Sequence, residues 1–398
     1  MKSERTSHQL ADVIDLIGGG TPKTSISEYW DGEIPWISVK DFNNDNRYVY
    51  TTEKSITKAG LGNSSTKLLA YDDIIISARG TVGELAMIPF PMAFNQSCYG
   101  IRGKKDIIIQ PYLYYLLKDS MCLLKSQTHG SVFDTITRET FANIKISLPS
   151  IPEQQMIADI LSALDDKITV NGNINHHLEQ IAQAIFNELY FTGDLSILGD
   201  YLTDIESGSR PKGGALLSGI PSIGAENIER FGVYDYSKEK YISLDFFQRL
   251  QRGVVKSGDV LLYKDGAYTG KTSMALGGFP HQQCAINEHV FILRTNNKMP
   301  SQYFLYLLLR LDENREKLFT MASSKAAQPG LNQNEVKALQ ILIPNVKLIA
   351  KFNNEVEPLF KQIANNALEN RRLAELRDTL LPKLMSGELS VSDIVGVK

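Results

Sequence analysis

The chain is written twice, and that duplication constrains its fold more than any single motif. Gly19-Gly20-Thr21-Pro22-Lys23 returns as Gly208-Ser209-Arg210-Pro211-Lys212, and Ile34-Pro35-Trp36-Ile37 as Ile220-Pro221-Ser222-Ile223. Asp73-Ile74-Ile75 returns as Asp259-Val260-Leu261, Asn95-Gln96 as Asn287-Glu288, and residues 112–117 as 303–308. From Leu148-Pro149, matched by Ile343-Pro344, the copies align without a gap at an offset of 195 residues. A period near half of 398 residues is a domain duplication and not a solenoid.

Each copy reads as a strand-rich part followed by a long helix, which predicts an α+β fold. Apolar runs at 74–77, 85–88 and 260–263 are bounded by Gly, Asp and Asn, as strands are. Residues 112–117 and 303–309 read as short buried helices. The expected boundaries are 1–150 and 193–345 for the two mixed parts, with helices over 151–192 and 346–390. Gly193-Asp194-Leu195 follows the first helix and Gly387-Glu388-Leu389 the second, so the repeat is expected to close on itself in a pseudo-twofold arrangement.

The helices carry heptad seams. The first runs Leu161, Leu164, Ile168, Asn171, Asn175, Leu178, Ala182, Ile185, Leu189, with 3-4 spacing throughout. The second runs Val356, Leu359, Ile363, Asn366, Asn370, Leu373, Arg377, Leu380, Leu384. A seam asparagine is costly unless it meets a polar partner, so it fixes register. One antiparallel register pairs all four, Asn171 with Asn370 and Asn175 with Asn366. The expected coiled coil spans about 28 residues, roughly 40 Å, and would hold two similar modules at a fixed separation. Pro358 is expected to start or bend the second helix, because proline is tolerated only in a first turn or at a kink.

Three cysteines without a Cys-x-x-Cys argue against a disulfide framework or a cysteine-rich zinc site and point to a reducing compartment. No apolar stretch of membrane-spanning length and no leader is evident, so a cytoplasmic location is expected. The net charge of −3 leaves nucleic-acid binding to local basic loops or to basic partners.

Motifs for catalysis fail one by one. Gly266-Ala267-Tyr268-Thr269-Gly270-Lys271-Thr272 mimics a phosphate loop, but three residues separate its glycines where four are needed, and Asp265 would repel phosphate. It reads better as a glycine-bearing turn between strands. The six histidines, His8, His129, His176, His177, His281 and His289, form no ligand spacing, so no metal site is expected. There is no Gly-x-Ser-x-Gly elbow, and Glu335-Val336-Lys337 has no Pro-Asp partner before it. No catalytic residue is assigned.

What remains is a set of polar and basic loops on two related scaffolds. Arg79 and Lys264 each precede a turn glycine, Lys23 and Lys212 occupy equivalent turns, and Gln96 and Glu288 occupy equivalent positions with different chemistry. With Lys40, Thr81, Arg210, Asn227 and Tyr268 these are the candidate DNA contacts. Arg and Lys suit guanine, Gln and Asn adenine, and Glu the cytosine amine. The turns recur while the displayed side chains change, as expected for two copies of one reader with two different targets.

The chain resembles the specificity subunits of type I restriction–modification systems. The likeness lies in Gly19–Lys23 with Tyr29-Trp30-Asp31-Gly32-Glu33-Ile34-Pro35-Trp36-Ile37, and in Asp73-Ile74-Ile75-Ile76-Ser77-Ala78-Arg79-Gly80-Thr81-Val82-Gly83. It continues in Leu148-Pro149-Ser150-Ile151-Pro152-Glu153-Gln154-Gln155 and in Pro382-Lys383-Leu384-Met385-Ser386-Gly387-Glu388-Leu389. The second copy departs, since Asn345-Val346-Lys347-Leu348 lacks the Glu-Gln-Gln element. The resemblance implies a non-catalytic chain with two target recognition domains, each reading one half of a bipartite double-stranded DNA site through the major groove. It implies paired helices that set the unread gap, and two modification subunits docked along them to methylate adenine. Restriction and translocase subunits would join these, with S-adenosylmethionine, ATP and Mg on the partners and no cofactor in this chain. The competing readings are a two-headed protein scaffold without DNA readout and a nucleotide-dependent enzyme built on Gly270-Lys271-Thr272.

Overall fold

The computed structural model describes residues 5–44, 46–126, 135–324 and 330–395. His129 lies outside them. The chain forms two units, one of Met1–Thr169 with Leu373–Lys398 and the other of Val170–Arg372. The architecture of each is α+β.

In the first unit a four-stranded antiparallel sheet runs Ile14–Gly18, Cys98–Gly103, Ile74–Ser77, Leu85–Met87. A second sheet runs Lys54–Ile56, Trp30–Ile37, Met92–Phe94, Leu68–Leu69, with Trp30–Ile37 and Met92–Phe94 parallel. A ribbon pairs Thr6–Gln9 with Lys145–Leu148. The second unit repeats the pattern. Its four-stranded sheet runs Leu202–Ser207, Val290–Thr295, Val260–Tyr263, Thr272–Met274. Its smaller sheet runs Tyr241–Ile242, Ile220–Ile223, Ala285–Ile286, again with a parallel pair, and Asp194–Ile197 pairs with Gln340–Ile343.

The same fork on a buried aspartate sits in both four-stranded sheets. Arg102 grips Asp73 at 2.7 and 2.5 Å, and Arg294 grips Asp259 at 2.6 and 2.7 Å. A bidentate pair of this kind fixes direction as well as distance. The second oxygen of each aspartate also accepts a backbone amide three residues upstream, from Ala70 and Lys256. The repeated Asp-hydrophobic-hydrophobic motif is therefore a strand-start clamp.

Behind each sheet lies a helix, Gln110–Asp119 or Gln302–Arg310, whose residues 112–117 and 303–309 are all buried. A helix apolar on every side is stable only at the centre of a core. Each sends one tyrosine to the first long helix. Tyr115 donates to Asp165 at 2.6 Å, and Tyr306 donates to Glu179 at 2.9 Å. Burial, and then the charge of Asp165, holds the Tyr115 hydroxyl well above the usual tyrosine range, so it remains a donor.

The long helices span Ile151–Tyr190 and Val346–Ser386. In the second unit Asn171 donates to Asn370 at 2.8 Å and Asn366 donates to Asn175 at 2.8 Å, ascending against descending numbers, so the helices run antiparallel. In the first unit Asp165 meets Arg377 in the same sense. None of the seam residues is exposed. The second helix does not start at Pro358: it begins at Val346, capped by Asn345, and runs through Pro358 and Pro382. Both prolines are exposed, so water can serve the carbonyls that their missing N–H groups leave unpaired.

The departing lead-in of the second copy also has a physical account. Gln154, buried, donates to the carbonyls of Pro149 and Ile107 and accepts from Ile109 N–H, which ties the first long helix to its core helix. Its counterpart is Ile349, fully buried, so apolar packing replaces the hydrogen bonds.

Candidate nucleic-acid interface

In the first unit the display begins with a glycine turn. The hydroxyl of Ser77, buried, donates to Thr81 O at 2.5 Å and accepts from Glu84 N–H at 2.7 Å. These bonds pin the turn from below, while Arg79, Gly80 and Thr81 stay exposed above. Gly80 and Gly83 have φ of 80° and 87°, where a Cβ is strained. Next to this turn, Asn95 Oδ1 accepts from Ser97 N–H at 3.1 Å, an Asx turn that leaves Gln96 outward. The two turns are joined by Arg79 N–H donating to Ser97 O at 3.2 Å.

The second unit builds the same frame from different residues. Asn287 Oδ1 accepts from His289 N–H at 2.9 Å, and Lys264 N–H donates to His289 O at 3.1 Å. Tyr263 and Gly270–Lys271 close the glycine turn with backbone bonds of 2.9 and 2.8 Å. The segment that mimics a phosphate loop is thus a turn between the strands Val260–Tyr263 and Thr272–Met274. Its Lys271 is spent on Glu229 at 2.5 Å and on the face of Tyr268 at 4.7 Å.

Each frame opens on a shallow cleft. The first, of about 390 Å³, is lined by Lys40, Lys54, Arg79 and Thr81 together with Glu53 and Asn95. The second, of about 380 Å³, is lined by Lys264, Asp265, Glu288, His289 and Asn332. Cations outnumber anions in the first; in the second Lys264 faces two carboxylates. His289 lies between those carboxylates, 2.7 Å from Asp265 and 3.5 Å from Glu288. Lys264 is 3.6 Å from Asp265 and sits over the Phe291 ring at 5.3 Å.

The structure therefore groups Lys40, Arg79 and Thr81 in one cleft, beside Gln96, and Lys264 with Glu288 in the other. Lys23 and Lys212 are exposed, and Tyr268 is exposed over the second glycine turn. Arg210 meets Glu288 at 3.4 Å. Asn227 is different: it is 1% exposed, accepts from Gly224 N–H and donates to Asp235 O, so it builds a turn and displays nothing. Sequence reasoning passed over Lys54, Asn43 and His289. His289 was accessible, since it follows the Asn287-Glu288 repeat as Ser97 follows Asn95-Gln96. Lys54 and Asn43 come from segments outside every repeated motif.

Residues 3–180 match the family model described as the type I restriction modification DNA specificity domain. The chain is 29% identical to the type I restriction enzyme MjaIX specificity subunit of Methanocaldococcus jannaschii, over 97% of this chain and 94% of that one. The likeness is to the specificity subunits of type I restriction–modification systems. Another such subunit, EcoR124I/EcoR124II of Escherichia coli, is 31% identical over 46% of this chain and 47% of its own. The fold is shared with the crystal structure of the S subunit from M. genitalium, with a TM-score of 0.59, 15% identity and 96% of each chain covered. These relatives are named specificity subunits, which are non-catalytic components of type I systems. Among the described residues no helix is long and apolar enough to cross a membrane.

Proposed function

We propose that each unit reads one half of a bipartite double-stranded DNA target through the major groove, and that the paired helices set the unread gap between the halves. The observation that carries this reading is the repeated frame. Ala78 N–H donates to Ser97 O as Lys264 N–H donates to His289 O, the same backbone hydrogen bond in two copies, and the side chains beside it differ. A scaffold that needed only shape would have no use for that difference. Arg79 and Lys264 would donate to base acceptors, and Gln96 and Glu288 would test for base amines. Lys23, Lys40 and Lys212, all exposed, would neutralise phosphates and set position without carrying sequence information.

Two modification subunits dock along the helices in this reading and bring S-adenosylmethionine for adenine methylation, while restriction and translocase subunits bring ATP and Mg. The net charge of −3 fits a chain that discriminates while basic partners supply much of the salt-dependent affinity.

The test is a binding selection. The full chain, assembled with its modification subunits, is incubated with random-sequence duplex DNA and the bound fraction sequenced. Two short motifs at fixed spacing are expected. No enrichment from the assembled complex overturns the DNA reading in favour of a protein-only scaffold.

A further inference from the structure

In both frames the residue displayed by the Asx turn touches a residue from the opening motif of its own copy. Thr21 donates its hydroxyl to Gln96 Oε1. Arg210 meets the carboxylate of Glu288 at 3.4 Å. The repeat aligns Thr21 with Arg210 and Gln96 with Glu288, so the two contacts are one contact written in two chemistries.

The frame brings these segments together at a glycine in each copy. A Cβ on Gly19 would lie 2.0 Å from Asn95 O, and one on Gly208 would lie 2.1 Å from Ile286 O and 2.2 Å from Asn287 O. Only glycine allows the opening motif to lie against the Asx turn this closely. The backbone around each pair is also matched, since Asn95 N–H donates to Ile37 O at 3.0 Å and Asn287 N–H to Ile223 O at 2.9 Å. With the frame held constant, what differs is the pair of side chains, and both members have changed together from neutral to charged.

We infer that each pair is a single reading unit, and that equivalent positions of the two half-sites are an A·T pair for Thr21–Gln96 and a G·C pair for Arg210–Glu288. The inference rests on the proposed function and names the chemistry each unit reads. A glutamine amide can accept from adenine N6 and donate to N7, and a threonine methyl suits the thymine methyl. Arginine donates to guanine O6 and N7, and a carboxylate accepts from cytosine N4. Against an A·T pair, Glu288 could still accept from adenine N6, but Arg210 would lose the paired O6 and N7 acceptors that guanine offers. The ion pair in the free chain keeps Arg210 and Glu288 side by side, as the two edges of a G·C pair require.

The experiment exchanges the pairs. The double variants Thr21→Arg/Gln96→Glu and Arg210→Thr/Glu288→Gln each import a pair that the other copy already carries. Binding selections are run on the full chain with its modification subunits, beside the unaltered protein. The first variant is expected to change one position of one motif from A·T to G·C, and the second to change one position of the other motif from G·C to A·T. Preference at that position should move by about tenfold or more, the scale of one good bidentate contact. The single variant Glu288→Gln, isosteric and uncharged, should lose discrimination at the same position and serves as the check if an exchanged pair impairs folding. Two motifs that persist unchanged in all variants overturn this inference while leaving the proposed function standing. A uniform loss of affinity for every sequence overturns it too, since it assigns both pairs to phosphates. If the unaltered protein selects no motif, the proposed function itself fails.

Discussion

Arg377 donates from Nη1 to Asp165 Oδ1 at 2.7 Å, with both side chains more than nine-tenths buried. The pair occupies the helix seam of the first unit, and Asp165 also receives the Tyr115 hydroxyl. Together these contacts bind the two helices to the core helix of that unit. Arg377→Met would strand a carboxylate in the interior and should cost about 3–5 kcal/mol. Asp165→Leu with Arg377→Leu should recover most of that loss. Urea unfolding of both variants checks it; equal destabilisation by the single and double changes would contradict this account.

The Asn175–Asn366 pair is expected to behave similarly on a smaller scale. Both residues are buried, and Asn366 donates to Asn175 at 2.8 Å. Asn366→Leu leaves the Asn175 oxygen without that donor and should cost about 1–3 kcal/mol. Changing both to Leu, and Asn171 and Asn370 with them, should be near neutral in stability, yet it removes the asparagine register marks. Crosslinking between engineered cysteines on the two helices would then report shifted pairings that the native seam excludes.

Arg79→Ala and Lys264→Ala should each weaken discrimination at one half-site, by about 1–3 kcal/mol, and leave the other half-site untouched. Competition binding with DNA altered in one half at a time measures this. Equal weakening on all sequences, with a shallower salt dependence, would place the residue on a phosphate instead.

The thiols make a compact test of the cores. Cys98 and Cys284 are buried, and burial pushes both thiols up to about 12. Cys122 is exposed. Near pH 8 the buried pair is almost entirely protonated, and the thiolate is the reactive form. One thiol per native chain should react quickly with a disulfide reagent, and three after denaturation. Cys122→Ser should abolish the fast phase.

Much of this was legible in the sequence because the chain contains its own comparison. Two copies of Asn-Gln/Glu, of Asp-hydrophobic-hydrophobic and of a glycine before a Pro-Lys turn mark which positions make the frame and which are displayed. The structure gives the reasons: the Asn95 and Asn287 side chains shape turns, Asp73 and Asp259 clamp arginines, and Gly19 and Gly208 permit close approach. The seam asparagines were readable for another reason, since helical periodicity is local and a polar residue in an apolar stripe must find a partner.

Contacts between segments distant in sequence and outside the repeat were not readable. No pattern in the chain links Lys54 to Arg79, Arg47 to Asp166, or Tyr306 to Glu179. Nor could periodicity separate Asn227, sealed inside a turn, from a displayed asparagine, because both satisfy the same local chemistry. The sequence by itself determined the duplication, the fold class, the helix register and the positions at which the copies differ. Tertiary structure alone decided which of those differing residues touch one another. Side-chain proximity between residues more than seventy positions apart, as in Thr21–Gln96 and Arg210–Glu288, depends on how sheets and turns pack, and local patterns carry no record of it.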